Sequence, residues 1–234
     1  MKRHIPNIIT SCNLISGCIA VLNAFLVCYE AAFFFIVLGA VFDFFDGMSA
    51  RLLGVSSPIG KELDSLADCI TFGLAPSAMI FTFLSSQDYP SAVAFAAPYI
   101  PYVAFIMAAF SALRLAKFNL DERQTTSFIG LPTPANALFW ASLIVGSGSF
   151  LSSSPAVLLA VVAMVLVCSW VLVAEIPMFA LKFKTWGWRG NEVKYIFLIT
   201  CIPLLLVFRI SGFAAIIAWY VILSVLTARR QPAA

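Results

Sequence analysis

Asp43, Asp46, Asp64 and Asp68 put four of the chain's eleven acidic residues into a stretch of 26. Asp43 and Asp46 are three apart and Asp64 and Asp68 four apart, so on helices each pair points to one side of its own element, and an antiparallel hairpin of the two would converge four carboxylates. At mid-membrane a charged side chain costs about 2.5 to 3.5 kcal/mol on insertion scales, so four unpartnered aspartates would cost roughly 10 kcal/mol, less near a helix end. Facing one another they also repel, unless cations sit between them. An all-oxygen donor set without histidine or cysteine favours hard ions, Mg²⁺ or Mn²⁺ over Zn²⁺, and carboxylate clusters commonly hold Mg²⁺ against substrate phosphates. The implied substrate is a phosphate ester. Gly47, Ala50 and Gly60 lack bulk around the same cluster, which lets helices or a flat ligand group approach closely, and Arg51 is placed to clamp a phosphate. Taken singly, a membrane aspartate is often only a hydrogen-bonded partner, and Gly47 with Gly60 could be plain helix packing. Intramembrane acids also mark ion paths, so a cation channel or carboxylate-driven transporter is the functional rival. Against it, these acids gather at one end of the hairpin.

Little else in the chain could do acid–base work. His4 is the only histidine and lies in the N-terminal tail. Cys12, Cys18, Cys28, Cys69, Cys168 and Cys201 lie in or at the edge of apolar stretches, without metal-knuckle spacing, and read as packing residues. Glu175 beside Pro177 is a carboxylate near the inner end of an apolar run, and the sequence names no partner for it. Trp186-Gly-Trp188-Arg189 reads as an interfacial aromatic anchor with a cationic neighbour.

The elements that must hold these residues follow from composition. The 234 residues are 62% hydrophobic and 11% charged, with a mean hydropathy of +1.00, whereas a soluble domain is nearer half apolar and a quarter charged. Apolar runs recur at 9–28, 31–50, 65–84, 92–113, 133–147, 155–178, 194–208 and 212–228. The expectation is an all-α polytopic membrane protein of about eight transmembrane helices, one domain over 1–234, with a catalytic core at about 5–140 and additional helices at about 150–230. With the N-terminus inside, Lys2, Arg3, Arg51, Lys61, Arg114, Lys117, Arg123, Lys182, Lys184, Arg189, Lys194, Arg229 and Arg230 fall on the cytoplasmic side and only Arg209 outside. Both termini are therefore expected in the cytoplasm, because shifting the count by one span would scatter these residues over both faces. The opening Met1-Lys2-Arg3 before an apolar run could also be a secretory signal, but Asn7, Asn13 and Asn23 interrupt the uniform core that a signal prefers. The net charge of +3 shows neither a basic stripe nor a run of like charges, which excludes nucleic acid as a partner.

The residues Asp43-Phe-Phe-Asp46-Gly47-Met-Ser-Ala50-Arg51, then Gly60, Asp64 and Asp68, resemble the complete signature of the CDP-alcohol phosphotransferases. Leu63-Asp64-Ser65-Leu66-Ala67-Asp68, Phe72-Gly73-Leu74-Ala75-Pro76, Leu113-Arg114-Leu115-Ala116-Lys117-Phe118-Asn119 and Gly130-Leu131-Pro132-Thr133-Pro134 are similar to segments of the phosphatidylserine synthase branch. With Pro6-Asn7 and Thr10, the likeness covers about residues 5–140. Lys117 stands where that branch has arginine, which keeps the charge and loses the bidentate fork.

The resemblance implies an inner-membrane enzyme, homodimeric, with its active site near the cytoplasmic face. It implies transfer of a phosphatidyl group from CDP-diacylglycerol to L-serine with release of CMP; glycerol phosphate, inositol phosphate or choline could serve as acceptor on the same core. Asp43, Asp46, Asp64 and Asp68 become ligands of one or two Mg²⁺ or Mn²⁺ ions, Asp68 also the general base, and Gly47, Ala50, Arg51 and Gly60 the nucleotide and phosphate cradle. Asn7 and Thr10 could reach the nucleotide or cap their helix. A zwitterionic acceptor needs a cation and a polar group, which Arg114, Lys117 and Asn119 offer. The basic pair could equally mark a helix end and touch lipid phosphates.

Overall fold

The computed structural model describes residues 4–55, 57–121, 128–179, 187–188 and 191–228. The basic residues Lys2, Arg3, Arg123, Lys182, Lys184, Arg189, Arg229 and Arg230, together with Met1 and Trp186, lie outside the described residues. The chain runs α1 (Ile5–Phe25), α2 (Tyr29–Leu53), α3 (Pro58–Asp68), a π-helical turn (Cys69–Leu74), α4 (Ala75–Ser85), α5 (Ala104–Leu120), α6 (Thr133–Leu151), α7 (Pro155–Val173), α8 (Glu192–Phe208) and α9 (Gly212–Ala228). Two-residue strands β1 (Phe128–Ile129) and β2 (Pro177–Met178) pair antiparallel, with Phe128 opposite Met178. The helix ends carry their local reasons. The Ser57 hydroxyl accepts from the Gly60 amide at 2.9 Å with Pro58 in the first turn of α3, and Ser154 with Pro155 does the same for α7. α2 stops at Gly54, whose φ of 60° is the left-handed cap.

Among the described residues, seven helical stretches are long and apolar enough to cross a membrane, and the chain is a polytopic membrane protein. The expected eight differ at the end, where one stretch, Glu192–Thr227, is broken by Arg209 at φ 51° into α8 and α9. These two arms fold back on one another: Trp219 Nε1 donates to Thr200 Oγ1 at 2.9 Å, and the rings of Phe197 and Tyr220 lie 5.8 Å apart. The run expected at 92–113 opens on a single 3-10 turn (Ser91–Val93) and becomes continuously helical only near residue 100, because Pro90, Pro98 and Pro101 interrupt the approach to α5. Likewise α7 ends at Val173, so Glu175 sits beyond the helix and is exposed.

The centre of the molecule is the α3–α4 span, 67% of whose apolar window is buried, against 17% for the α8–α9 stretch. Phe72, Met79, Ile80 and Leu84 pack there with Trp140 of α6, all fully buried. α1 packs along α2 and also along α3. Glycine is needed on both helices opposite Thr71 in the π-helical turn: a Cβ added at Gly17 of α1 or Gly39 of α2 would collide with the Thr71 side chain. Small residues permit that contact, as they do generally between membrane helices, and the Thr71 hydroxyl donates across it to the Asn13 carbonyl at 3.1 Å.

Candidate active site

The N-terminal turns of α1, the C-terminal turns of α2 and the first half of α3 enclose a cleft of about 280 Å³. Its walls include Asn7 and Thr10 from α1, Asp46, Gly47 and Ala50 from α2, and Gly60 and Asp64 from α3. Five of the six residues expected around a nucleotide therefore share one cavity with two of the aspartates; the sixth, Arg51, is exposed and is not among its lining residues. Gly47 has nothing within 4 Å of where a Cβ would stand, whereas a Cβ at Gly60 would lie 3.0 Å from Asn7 Oδ1. Ser57 and Lys61 also line the cleft and were not among the expected site residues. A local signal existed for both: Ser57-Pro58 announces a helix start, and Lys61 directly follows the motif glycine.

The carboxylates do converge, although not as a symmetric quartet. One oxygen each from Asp43, Asp64 and Asp68 lies within 4.8 Å of the others. Asp46 belongs to a different arrangement, because the Thr10 hydroxyl donates to its Oδ2 at 2.6 Å. Thr10 thus serves Asp46 and does not cap α1, whose N-cap is His4 without a side-chain cap bond. Asp68, 8% exposed, accepts from Asn13 Nδ2 at 3.1 Å. Asn13 was missed as a site residue: its partner lies 55 positions away, and an asparagine inside an apolar run carries no local sign of that pairing.

The donor set fits a hard divalent cation. Among the described residues Asp64 Oδ1 is buried with no hydrogen-bond partner, so the triad gathers carboxylate oxygens with few described donors of the protein against them. A cation bound by carboxylate oxygens would supply what is missing. Neither histidine nor cysteine stands in the triad to favour a softer metal.

The C-terminal half of α5 carries Arg114 and Lys117. Arg114 is buried, donates from Nη1 to Thr133 Oγ1 at 3.2 Å and lies 5.6 Å from the centre of the Phe118 ring. Lys117 joins Arg114 in lining a second, smaller cavity. Asn119 goes elsewhere: its side-chain amide donates to Ser65 Oγ and its carbonyl accepts from Lys61 Nζ, each at 2.8 Å, so it ties the end of α5 to the cleft-lining helix α3.

A sequence model described as CDP-alcohol phosphatidyltransferase matches residues 3–174, which contain the cleft and all four aspartates. Three similar proteins each bear the name CDP-diacylglycerol--serine O-phosphatidyltransferase. That of Bacillus subtilis is 38% identical over 133 residues, 56% of this chain and 70% of the relative. That of Methanocaldococcus jannaschii is 35% identical over 151 residues, 64% of this chain and 62% of the relative. That of Helicobacter pylori is 33% identical over 135 residues, 57% of this chain and 54% of the relative.

Proposed function

The chain belongs to the CDP-alcohol phosphatidyltransferase family, and on that premise we propose that it transfers the phosphatidyl group of CDP-diacylglycerol to the hydroxyl of L-serine, giving phosphatidylserine and CMP. The observation that carries the reading is the convergence of Asp43, Asp64 and Asp68 beside a cleft lined by Asn7, Thr10, Asp46, Gly47, Ala50 and Gly60. The names of the relatives supply the acceptor.

Asp43, Asp64 and Asp68 would hold Mg²⁺ or Mn²⁺, with Asp46 completing the set from the cleft wall. One or two such ions, when bound, neutralise charge on the diphosphate and on the departing CMP. The chain itself supplies position and proton transfer. Gly47 and Ala50 leave space for the cytidine, and Gly60 admits Asn7 to the same wall. Lys61 and Arg51 bring positive charge to the phosphates. Thr10 fixes the rotamer of Asp46, and Asn13 fixes that of Asp68, leaving the other Asp68 oxygen for the acceptor hydroxyl. In the transfer, the serine oxygen forms a bond to the phosphorus attached to the diacylglycerol, the bond from that phosphorus to CMP breaks, and Asp68 takes the hydroxyl proton. Arg114 and Lys117 attract the acceptor carboxylate.

The active site faces the cytoplasm of a plasma membrane and both termini lie on that side, as the distribution of basic residues supports. A homodimer is part of the same proposal and rests on the family alone. The test is CMP release from purified protein in detergent with CDP-diacylglycerol and Mn²⁺, comparing L-serine, glycerol 3-phosphate, inositol phosphate and choline, with chelator and Asp64→Ala controls. Serine-dependent, metal-dependent release is the expected result. Release with another alcohol would overturn the acceptor, and ion flux without CMP release would overturn the reaction.

A further inference from the structure

We propose that Asn119 is a positioning residue for the donor and not a contact of the acceptor: with Ser65 it holds the Lys61 ammonium at the wall of the catalytic cleft, where a phosphate of the cytidine nucleotide meets it. This rests on the reading of that cleft as the site of a cytidine nucleotide. Ser57, Gly60, Lys61 and Asp64 line the cleft from the start of α3, a spacing that follows one face of a helix. Lys61 is exposed, and an exposed lysine ordinarily samples many rotamers of its four-carbon stem. Here hydrogen bonds restrain it at both ends. Its Nζ donates to the Asn119 carbonyl at 2.8 Å, its own carbonyl accepts from the Ser65 hydroxyl at 3.2 Å, and that hydroxyl accepts from Asn119 Nδ2 at 2.8 Å. The three bonds close a ring between residues 58 positions apart in the chain.

The chemistry of the anchor decides what the lysine can do. Asn119 is the next-to-last residue of the 17-residue helix α5, where backbone carbonyls lack intrahelical partners and form the negative end of the helix dipole. An ammonium is therefore held there by a neutral oxygen. A carboxylate partner would cancel the charge of Lys61, whereas a carbonyl fixes the side chain and leaves the charge for an anion in the cleft. The ammonium has three donors, so the bond to Asn119 leaves it capacity to meet a phosphate oxygen. A side chain already ordered loses less freedom when the ligand arrives, and the saving appears as affinity. The side-chain amide of Asn119 touches neither the cleft nor Arg114; it donates to Ser65, one turn of α3 beyond Lys61. It acts through Lys61, on the phosphate and not on the base. Asn119 thus couples the end of α5 to the nucleotide end of the active site.

The test is equilibrium titration of the purified protein in detergent and Mn²⁺ with CMP, and with cytidine, which lacks the phosphate. In Asn119→Ala, and separately in Ser65→Ala, the Kd for CMP should rise about two- to tenfold, the range for ordering one long side chain on binding. The Kd for cytidine should change by about twofold or less on the same argument. Ser65→Thr keeps the hydroxyl and should restore the CMP affinity. In a Lys61→Ala background, where the residue acted upon is gone, Asn119→Ala should add nothing. In turnover, KM for CDP-diacylglycerol should rise in both single variants while KM for serine holds. Where Asn119→Ala does not fold, Ser65→Ala carries the test. Equal losses for CMP and cytidine, unchanged CMP affinity, or additive losses in the double variant would overturn the proposal and leave the transferase reading intact. A raised serine KM with unchanged CMP affinity would overturn it in favour of an acceptor contact. A wild type that binds neither CMP nor CDP-diacylglycerol would overturn both.

Discussion

Asp68 is asked to do two things, and the two separate on substitution. Asp68→Asn keeps the side-chain volume but removes the anionic oxygen, so turnover should vanish while CDP-diacylglycerol binding, measured by equilibrium titration, survives if proton removal is its main task. Binding lost in proportion to rate would make it chiefly a metal ligand. Asn13 should act through Asp68. Asn13→Ala removes the 3.1 Å bond to the carboxylate, and groups that orient metal ligands are typically worth about 10- to 100-fold in metal affinity or activity. The metal concentration for half-maximal CMP release should rise accordingly, with KM for serine little changed. Arg114→Ala should show the opposite split, raising KM for serine more than KM for the lipid donor; the reverse order would move Arg114 to the donor site. The aspartates were legible in the sequence because their spacing is local and helical. Asn13 and the diversion of Asn119 to Ser65 were not legible, because each depends on what another helix brings opposite, whereas Ser57 and Lys61 carried a local signal beside the motif glycine.

At the scale of elements, the α1, α2 and α3 wedge is a steric arrangement before it is a chemical one. Thr71 fills the space that Gly17 and Gly39 leave open and bonds the Asn13 carbonyl, so the glycines, the π-helical turn and the Asp68 partner form one packed unit. Gly39→Ala puts a methyl against the Thr71 methyl, and overpacking of this kind costs about 1 to 3 kcal/mol. Its Tm in detergent should fall. Thr71→Ser removes the opposing methyl while keeping the hydroxyl, so the double variant should recover part of the loss. Additive losses would show that Gly39 matters for another reason. Continuous apolar runs make most of the helices readable from the amino-acid sequence. The entrance to α5 was not, because prolines at 90, 98 and 101 override an otherwise helical composition. The break between α8 and α9 had a weaker signal in Arg209, a lone cation between two apolar runs.

For the molecule as a whole, the clustered carboxylates predict that a divalent metal would act as a stabilising ligand. Saturating Mn²⁺ should raise the Tm of the wild type and leave that of Asp64→Ala nearly unchanged, since a ligand stabilises in proportion to its binding to the folded state. Orientation has its own test in Cys28, exposed at the turn between α1 and α2. In sealed right-side-out vesicles a membrane-impermeant thiol reagent should label it, and Cys28→Ser should abolish that labelling. Labelling only after permeabilisation would place the cleft on the outer side.

The π-helical turn at Cys69–Leu74 divides one continuous span into two halves. In an uninterrupted α-helix each residue advances the azimuth by about 100°, so the direction of Asp64 and Asp68 would be rigidly geared to the direction of Met79 and Leu84. The wider turn slips that gear. The i→i+5 turn takes up one residue more than an α-turn in about the same rotation. Winding residues 69–74 as regular α-helix without a deletion would therefore swing the aspartates about 100° relative to the buried half. Deleting one residue there would instead regularise the helix and keep the two halves in phase, which makes the bulge the device that sets core and chemistry in register along one rod.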